Sequence, residues 1–314
     1  MKVLVTGAAG FLGREVVKDL LNKRFEVVAL VRNLKQVEDF EWKGNVHLFE
    51  ADLAVSSELN AAFQGVDALV HLAACKQTQT KNEQYMSNVE GTKKLLSAME
   101  KSPAKRIVFV STIAVYDYQF SGSCLDVDAQ FDPDPALRDP YAATKIEQEE
   151  TVSRMSRLNG WKLTIFRPAM IWGNENAYPH TLAIPLGPFH FVIGPCKTAN
   201  MVHVSECSKA IAKTLESEES VGRVFHLVNE KSASAWGFMG MYLRKYDVKG
   251  IRIPVPYFLA FGAVKVFYRF YKALSGNEEK LPSFCFPRRF EARFRPVNLG
   301  SNFLGGGRSH VHAK

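Results

Sequence analysis

The sequence predicts an α/β protein with a doubly wound parallel sheet, and three observations support this class. Short runs of Val, Ile and Leu alternate with helical segments along most of the chain, as expected for strands that are buried on both faces. A glycine-punctuated turn directly follows the first of these runs. The chain has 314 residues, 46% of them hydrophobic and 23% charged, which suits a globular protein with a full core.

Charge and cysteine content narrow the class further. The net charge is +8, with basic clusters at 265–272 and 288–295 that could attract nucleic acid or anionic lipid. Attraction of an anionic cofactor, together with a solvated basic face, is the simpler explanation, and we predict no nucleic-acid partner. Five scattered cysteines without a C-x-x-C pair predict neither a disulfide framework nor a metal site. No apolar leader precedes the first strand, so we expect a cytoplasmic protein.

The first strand, the glycine turn and the helix after it form a predicted phosphate cradle. Residues 3–5 are the strand, and 14–21 continue as an amphipathic helix. Between them, Gly7 permits a tight turn, Gly10 lets the backbone approach a pyrophosphate, and Gly13 lets the helix pack closely on the sheet. The anion would lie at the positive end of the helix. The alternative is a glycine-rich turn that binds no ligand.

The end of the second strand selects the cofactor in such a fold. Residues 26–31 form an apolar run that ends at Arg32, with Lys35 nearby. An acidic residue at this place accepts hydrogen bonds from a ribose 2′-hydroxyl, whereas an arginine accommodates a 2′-phosphate. Arg32 therefore favours NADP(H), with NAD as the alternative. It is also possible for such an arginine merely to extend along the sheet edge into solvent.

The next two strands end in residues that suit a flat cofactor. Asp52 follows the strand at 46–49, where a carboxylate can accept a hydrogen bond from an adenine amino group and the next backbone N–H can serve the ring. The strand that begins at Val66 runs into the small residues 72–74, against which a cofactor can lie. His71, inside this apolar run, is expected to be a hydrogen-bonded core histidine rather than a ligand or a base.

The predicted chemistry starts at the carboxyl edge of the sheet, where open parallel sheets bind ligands. A strand over 105–111 delivers Ser111 and Thr112 to this edge. A long loop, 116–140, then leads to a helix with Asp139 as its N-cap and Pro140 in its first turn.

Tyr141 and Lys145 stand at i and i+4 of this helix, so their side chains share one face. A phenol ordinarily has a pKa of about 10, too high for a base at neutral pH. The Lys145 ammonium and a positive nicotinamide would lower the pKa of Tyr141 by stabilising the phenolate. A hydroxyl from Thr112 or Ser111 would hold the substrate oxygen beside it. Together these groups predict proton transfer at a carbinol or carbonyl next to a nicotinamide.

The sequence predicts two interleaved units of unequal size. A dinucleotide-binding domain covers 1–170, and 200–230 returns to it. A smaller substrate lobe is expected from 171–199 and 231–300, and a flexible tail from 301–314.

Residues 256–274 are predicted to form an amphipathic helix. Its cations Lys265, Arg269 and Lys272 fall on one stripe, which speaks against a bilayer span. Docking of this helix onto the substrate lobe is favoured, and peripheral contact with a membrane is the alternative.

Seven motifs, in this order, resemble those of the extended short-chain dehydrogenase/reductases, also called the NAD-dependent epimerase/dehydratase family. The similarity covers residues 1–229 and implies a Rossmann-type fold and a homodimer formed through a four-helix contact. The motifs are T-G-x-x-G-x-x-G at 6–13, H-x-A-A at 71–74, N-V-x-G-T at 88–92, the Ser-Thr strand end at 111–112, Y-x-x-x-K at 141–145, R-P-x-x-I/V-Y-G at 167–173 and V-H-V at 202–204.

The resemblance also implies roles for individual residues. Thr112 would be the hydroxyl partner, Tyr141 the acid/base, and Lys145 its pKa-lowering neighbour and the ribose anchor. Lys76 is similar to a lysine that 4-epimerases place near the cofactor. The cofactor site would further include Phe11, Leu12, Arg32, Asp52, Leu53, Leu72, Ala73, Ala74, Asn88 and Pro168.

Departures from the family's patterns bear on the substrate. Sugar dehydratases carry Thr-Asp-Glu on the active-site strand, whereas Ile-Ala follows Thr112 here, so water elimination is not expected. Nucleotide-sugar members carry R-D-F-V-H-V, whose arginine clamps a diphosphate, and this chain has Ala199 in its place. The segments 192–194 and 256–274 look more like the 3β-hydroxysteroid dehydrogenase and dihydroflavonol reductase branches, which act on apolar alcohols and ketones.

Three hypotheses follow. The first is an NADP(H)-dependent oxidoreductase that interconverts a secondary alcohol and a ketone on a largely apolar small molecule. The second is a nucleotide-sugar epimerase with tightly bound NAD; Ala199 argues against it and Lys76 for it. The third is a dinucleotide-binding sensor or scaffold without turnover, against which the intact pair of Tyr141 and Lys145 argues.

Overall fold

The computed structural model describes residues 1–56, 58–75, 80–118, 124–173, 178–229, 233–275, 293–294 and 308–309. The strands are β1 (Lys2–Thr6), β2 (Glu26–Val31), β3 (His47–Glu50), β4 (Ala68–His71), β5 (Arg106–Val110), β6 (Cys124–Leu125), β7 (Lys162–Pro168), β8 (Met170–Trp172), β9 (Ala183–Leu186), β10 (Phe189–Ile193), β11 (Met201–His203), β12 (Arg223–Leu227), β13 (Ile251–Val255), β14 (Arg293–Phe294) and β15 (Arg308–Ser309). The α-helices are α1 (Phe11–Asn22), α2 (Lys81–Tyr85), α3 (Gly91–Glu100), α4 (Pro135–Arg138), α5 (Pro140–Asn159), α6 (Val204–Thr214), α7 (Ala235–Lys245) and α8 (Tyr257–Ser275).

The central sheet consists of parallel strands in the order β12-β7-β5-β4-β1-β2-β3, and the short β15 pairs antiparallel with β12. The predicted doubly wound parallel sheet is therefore confirmed. The strand order reverses between β1 and β4, and open α/β sheets bind ligands in the crevice at such a reversal. The site predicted from the first strand thus lies where the topology opens a crevice.

Apolar clusters bury both faces of this sheet. Val3 and Val5 of β1 belong to one cluster with Val16 of α1, whereas Leu4 belongs to the other cluster with Val152 of α5. Alternate residues of a strand point to opposite faces, so both sides of β1 have to be apolar. This burial explains why the sequence shows continuous apolar runs rather than an alternating pattern.

A smaller lobe has its own sheet and its own core. Strands β13, β10 and β9 form the sheet, and Trp172, Phe238 and Tyr242 belong to the apolar cluster beside it. Since β12 returns to the central sheet between β11 and α7, the two lobes are interleaved in sequence. This arrangement agrees with the predicted fold class.

Some elements differ from the prediction. Met86–Glu90, which contains the start of the N-V-x-G-T motif, is a π-helical turn, and α3 begins at Gly91. The predicted loop over 116–140 contains β6 and α4. Of the tail expected to be flexible, only Arg308–Ser309 is described, and it pairs with β12. Residues 276–292 of the expected substrate lobe lie outside the described residues.

Helix α8 is the amphipathic helix that the sequence predicts over 256–274. Within the described part of the chain, no helix combines the length and the apolar character that crossing a membrane requires.

Candidate functional site

The predicted phosphate cradle is a turn that only glycine can form. Gly7 has a φ of +69°, and a Cβ built on it would lie 2.9 Å from the backbone nitrogen of Ala73. A Cβ on Gly13 would lie 2.0 Å from the carbonyl oxygen of Gly7. The turn closes through the Gly10 N–H, which donates to the same oxygen at 2.9 Å. Backbone rather than side chain therefore lines the crevice between β1 and β4, as binding of a dinucleotide diphosphate requires.

Side-chain hydrogen bonds fix this turn to the end of β4. The Thr6 hydroxyl accepts from the backbone N–H groups of Leu72 and Ala73, each at 3.2 Å. The same Oγ1 lies 2.7 Å from His71 Nδ1, and the other ring nitrogen lies 2.8 Å from Thr92 Oγ1. Burial, and next the charge of Lys145, lower the pKa of His71 to about 3. The prediction of a hydrogen-bonded core histidine is confirmed.

Gln148 connects this network to the predicted catalytic helix. Its Nε2 donates to Thr92 Oγ1 at 2.8 Å and lies 3.0 Å from His71 Nε2. Its Oε1 accepts a hydrogen bond of 2.6 Å from Lys145 Nζ. All these side chains are buried. A continuous chain of polar contacts thus runs from Thr6, before the glycine turn, to Lys145.

The Lys145 ammonium is held at the carboxyl end of β5. Its Nζ also donates to the carbonyl oxygen of Val110 at 2.8 Å and lies 4.5 Å from the centre of the Phe109 ring. Only 1% of the residue is exposed. Burial lowers the pKa of Lys145 to about 7, although the nearby Glu149 carboxylate opposes this shift. The lysine therefore titrates near neutral pH, next to the strand end formed by Ser111.

Tyr141 is half-buried at the start of α5. The predicted N-cap is confirmed, because Asp139 Oδ1 accepts from the backbone N–H of Tyr141 at 3.1 Å and of Ala142 at 3.3 Å. Burial, and next the Asp139 carboxylate, raise the pKa of Tyr141 to about 12. The sequence predicts a lowering by Lys145 together with a positive nicotinamide. Among the protein's own groups alone the shift has the opposite direction, because burial and the Asp139 carboxylate both disfavour the phenolate.

The two candidate hydroxyls differ in what they contact. Thr112 Oγ1 accepts from the backbone N–H of Ala114 at 3.2 Å and so caps the 3-10 turn Ile113–Val115, against which α5 packs. Ser111 is 4% exposed, and within the described residues its Oγ has no hydrogen-bond partner. Both residues directly follow Val110, whose carbonyl oxygen binds Lys145 Nζ, and the Ser111 hydroxyl retains its full capacity to bind a further polar group.

The remaining predicted cofactor residues take several positions. Arg32 and Lys35 are exposed just after β2. Asp52 Oδ1 accepts from the Ala54 N–H at 2.9 Å. Leu53 is buried beside α3, since a Cβ on Gly91 would lie 2.8 Å from Leu53 Cβ. These residues follow β2 and β3, at the same edge of the sheet as the glycine turn.

Asn88 is fully buried within the turn Met86–Glu90. Its Oδ1 accepts from the Cys75 N–H at 2.6 Å, and its Nδ2 donates to Thr144 Oγ1 at 2.9 Å. It therefore ties the chain after β4 to α5, and the π-helical turn that contains it is a feature often found at functional sites. Lys76 lies outside the described residues.

The last three predicted cofactor residues are Phe11, Leu12 and Pro168. Phe11 and Leu12 are half-buried in the first turn of α1, and Pro168 is buried at the end of β7. A Cβ on Gly173 would lie 3.1 Å from the Phe11 ring. Gly173, directly after β8, therefore lies close to the first turn of α1.

The sequence reasoning missed an ion pair buried behind this site. Arg167 binds Glu149 through two hydrogen bonds, and both side chains are only 4% exposed. The Arg167 guanidinium also donates to the Tyr116 hydroxyl at 2.6 Å. Burial lowers the pKa of Arg167, but the Glu149 carboxylate outweighs it and raises the pKa above its usual value. The sequence did carry one signal, the spacing of Gln148 and Glu149. They follow Lys145 at i+3 and i+4 and therefore share its helix face.

The fold and the site define a Rossmann-like α/β protein with a glycine turn at the switch point of its sheet and a Tyr–Lys helix beside it. The chain belongs to the NAD dependent epimerase/dehydratase family, whose model matches residues 3–185.

Individual relatives are distant. The chain is 26% identical over 277 residues to 3beta-hydroxysteroid-dehydrogenase/decarboxylase isoform 1 of Arabidopsis thaliana, covering 80% of this chain and 63% of that protein. It thus spans less than two thirds of that relative. It is 27% identical over 281 residues to 4-hydroxy-2-methyl-3-oxo-4-farnesyl-3,4-dihydroquinoline-1-oxide ketoreductase of Stigmatella aurantiaca, covering 87% of this chain and 82% of that protein.

A solved structure shows the same fold. UDP-glucuronic acid 4-epimerase from Bacillus cereus, in complex with NAD, superposes with a TM-score of 0.68 at 20% identity, covering 82% of this chain and 87% of that chain.

Proposed function

We propose that this protein is an NADP(H)-dependent oxidoreductase that interconverts a secondary alcohol and a ketone on a largely apolar small molecule. The observation that carries the proposal is the position of the Tyr141 and Lys145 helix. Lys145 Nζ is 2.8 Å from the last carbonyl oxygen of β5, and Ser111 and Thr112 directly follow this strand, which supports an acid/base role for α5 at this edge of the sheet.

The residues of the crevice fit a dinucleotide. The backbone at Gly7 and Gly10 would hold the diphosphate, and Asp52 and Leu53 would hold the adenine. Exposed Arg32 and Lys35 offer two cations to a 2′-phosphate, which is why we propose NADP(H). When bound, the dinucleotide supplies or accepts the hydride, and its oxidised ring brings a positive charge that favours a phenolate.

The protein's own residues would carry the proton. With a pKa raised to about 12, the Tyr141 phenol is protonated at neutral pH and can donate to the oxygen of a ketone. The Lys145 ammonium then stabilises the phenolate that remains, and Ser111 or Thr112 holds the substrate oxygen in place. In the oxidative direction the same groups act in reverse, and the phenol regains its proton from the alcohol.

Two observations support an apolar substrate. Ala199 is 2% exposed and belongs to the apolar cluster of the smaller lobe, so no guanidinium stands there to clamp a nucleotide-sugar diphosphate. The two relatives named above are a steroid dehydrogenase/decarboxylase and a farnesyl-quinoline ketoreductase. The second candidate is a nucleotide-sugar epimerase with bound NAD, and the Bacillus cereus neighbour favours it through its fold.

The test is Tyr141→Phe, assayed by NADPH consumption with a panel of apolar ketones. Removing the proton donor should lower turnover by about 10²–10⁴-fold while NADPH binding persists, because the cradle is unchanged. Tyr85→Phe is the matched control, since the Tyr85 side chain is exposed on α2 and should leave turnover unchanged. Full turnover in Tyr141→Phe would contradict the proposal.

A further inference from the structure

Helix α8 exposes an apolar face that the proposed reaction does not use. Phe258 and Phe267 are each 71% exposed, and Phe270 is 66% exposed. Leu259 and Val266 are each 56% exposed. At 100° per residue these five positions span half of the helix circumference, so they form one continuous face. We call these five residues the apolar face of α8.

The opposite side of the helix faces the protein. Ala260, Phe261, Val264 and Tyr268 are half-buried. At the start of the helix, a Cβ on Gly194 would lie 3.4 Å from Tyr257 Cβ, which places this end beside the end of β10. The helix therefore already has an inner side, and its apolar face is a second, outward one.

Cations border the apolar face. Lys265 and Arg269 are exposed and lie about 20° to either side of Phe258 in the helical projection, at one edge of the apolar face. Lys265 Nζ is 4.4 Å from the centre of the Phe261 ring, so its charge is held beside an aromatic side chain. The sequence of 257–275 contains no Asp or Glu, and the whole chain has a net charge of +8.

We propose that α8 docks this protein on an anionic phospholipid bilayer. The Phe258, Phe267 and Phe270 side chains would enter the acyl-chain boundary, and Lys265 and Arg269 would contact lipid phosphates. A helix with one apolar face and a cationic border lies in the plane of such an interface, and each cation near an anionic leaflet strengthens binding. Two partners compete as the cover of the apolar face of α8, an anionic bilayer and a second copy of this chain. The charges favour the bilayer, because α8 of a second copy would offer Lys265 and Arg269 no acidic side chain.

The proposal is tested on the full chain by co-sedimentation with vesicles. One set contains phosphatidylcholine alone, and the other contains phosphatidylcholine and phosphatidylglycerol in equal amounts. We expect binding to the mixed vesicles only, weakened by added salt. Phe267→Ser with Phe270→Ser should weaken binding about tenfold, and Lys265→Gln about fivefold.

A matched control comes from the smaller sheet. Ile184 and Leu186 on β9 are exposed to 53% and 67%, so Ile184→Ser with Leu186→Ser removes a similar apolar surface away from α8 and should leave vesicle binding unchanged. If the phenylalanine variant fails to fold, Lys265→Gln with Arg269→Gln takes its place, because these side chains are exposed.

Three results would overturn the proposal. The first is a failure to sediment with the mixed vesicles, and the second is equal binding to both vesicle types. The third is a phenylalanine variant that changes from dimer to monomer in light scattering, because a second copy would then cover the face. None of these outcomes depends on enzymatic turnover.

Discussion

The carboxyl edge of the parallel sheet and helix α8 depart from the usual distribution of side chains in opposite directions. At the sheet edge, His71, Lys145 and Gln148 are polar and almost fully buried. On α8, Phe258 and Phe267 are apolar and mostly exposed. Buried polar groups are costly unless hydrogen-bonded, and exposed apolar patches mark interaction surfaces.

This difference predicts how the stability of the protein responds to a substitution in each region. At the sheet edge His71 and Lys145 both contact Gln148, so removing one member of this network leaves others without a partner and extends the effect beyond the changed residue. On α8 the side chains of the apolar face are mostly exposed, so single changes there should alter stability little. The predictions that follow start with the largest expected effect.

The ion pair between Glu149 and Arg167 should be the most sensitive contact. Glu149→Gln leaves the buried Arg167 charge without its partner, and breaking a buried pair costs about 3–5 kcal/mol. The matched control is Glu216→Gln, which breaks the surface pair with Lys23, whose side chains are 37% and 49% exposed. That change should cost less than about 1 kcal/mol. Urea unfolding measures both, and similar costs for the two would contradict the comparison.

Lys145→Met should change how stability depends on pH. The pKa of Lys145 is about 7 when folded and about 10.4 when unfolded, so the unfolded chain binds more protons between these values. Wild-type stability should therefore gain from this group as pH rises above 7, by at most about 1.4 kcal/mol per pH unit. Lys145→Met lacks this gain. A constant difference between the two proteins from pH 7 to 10 would show that Lys145 is not buried as described.

Gln148 should position the Lys145 ammonium, a role that rests on the proposed function. Gln148→Leu removes the acceptor of the ammonium hydrogen bond, so the pKa of Lys145 should fall further and the alkaline limb of the turnover profile should move to lower pH. Gln148→Glu puts a carboxylate there and should move it to higher pH. Shifts in the same direction for both variants would leave Gln148 with only a packing role.

The smallest effect on stability is expected on α8. Phe267→Ser and Phe270→Ser replace side chains that are already mostly exposed, and surface changes of this kind alter unfolding by about 0.5 kcal/mol or less. Thermal melts of both variants check this. A large drop in the melting temperature would mean that the apolar face is covered in the folded protein.

Sequence reasoning predicted the parts of the site that local chemistry determines. The glycine turn at Gly7, the Asp139 cap and the shared face of Tyr141 and Lys145 each depend on residues close together in the chain. The same holds for His71, because it stands within an apolar run and was therefore predicted to be a core residue.

The network around Lys145 could not be predicted, because its members are far apart in sequence. The contact between Gln148 and His71 joins residues 77 positions apart, and the contact between Lys145 and Val110 joins residues 35 apart. The direction of the Tyr141 pKa among the protein's own groups was not visible in the sequence either, since it depends on burial and on the Asp139 carboxylate. The i+3 spacing from Lys145 to Gln148 was visible, but it gave no hint of the contacts that Gln148 makes with His71 and Thr92.

The most direct test of the proposed function is to identify any nucleotide released from the purified protein and then to titrate NADPH and NADH separately. We expect nucleotide-free protein that binds NADPH more tightly than NADH, with the preference lost in Arg32→Ser. Tightly bound NAD that survives purification would contradict the role of Arg32 and would place the nucleotide-sugar epimerase first.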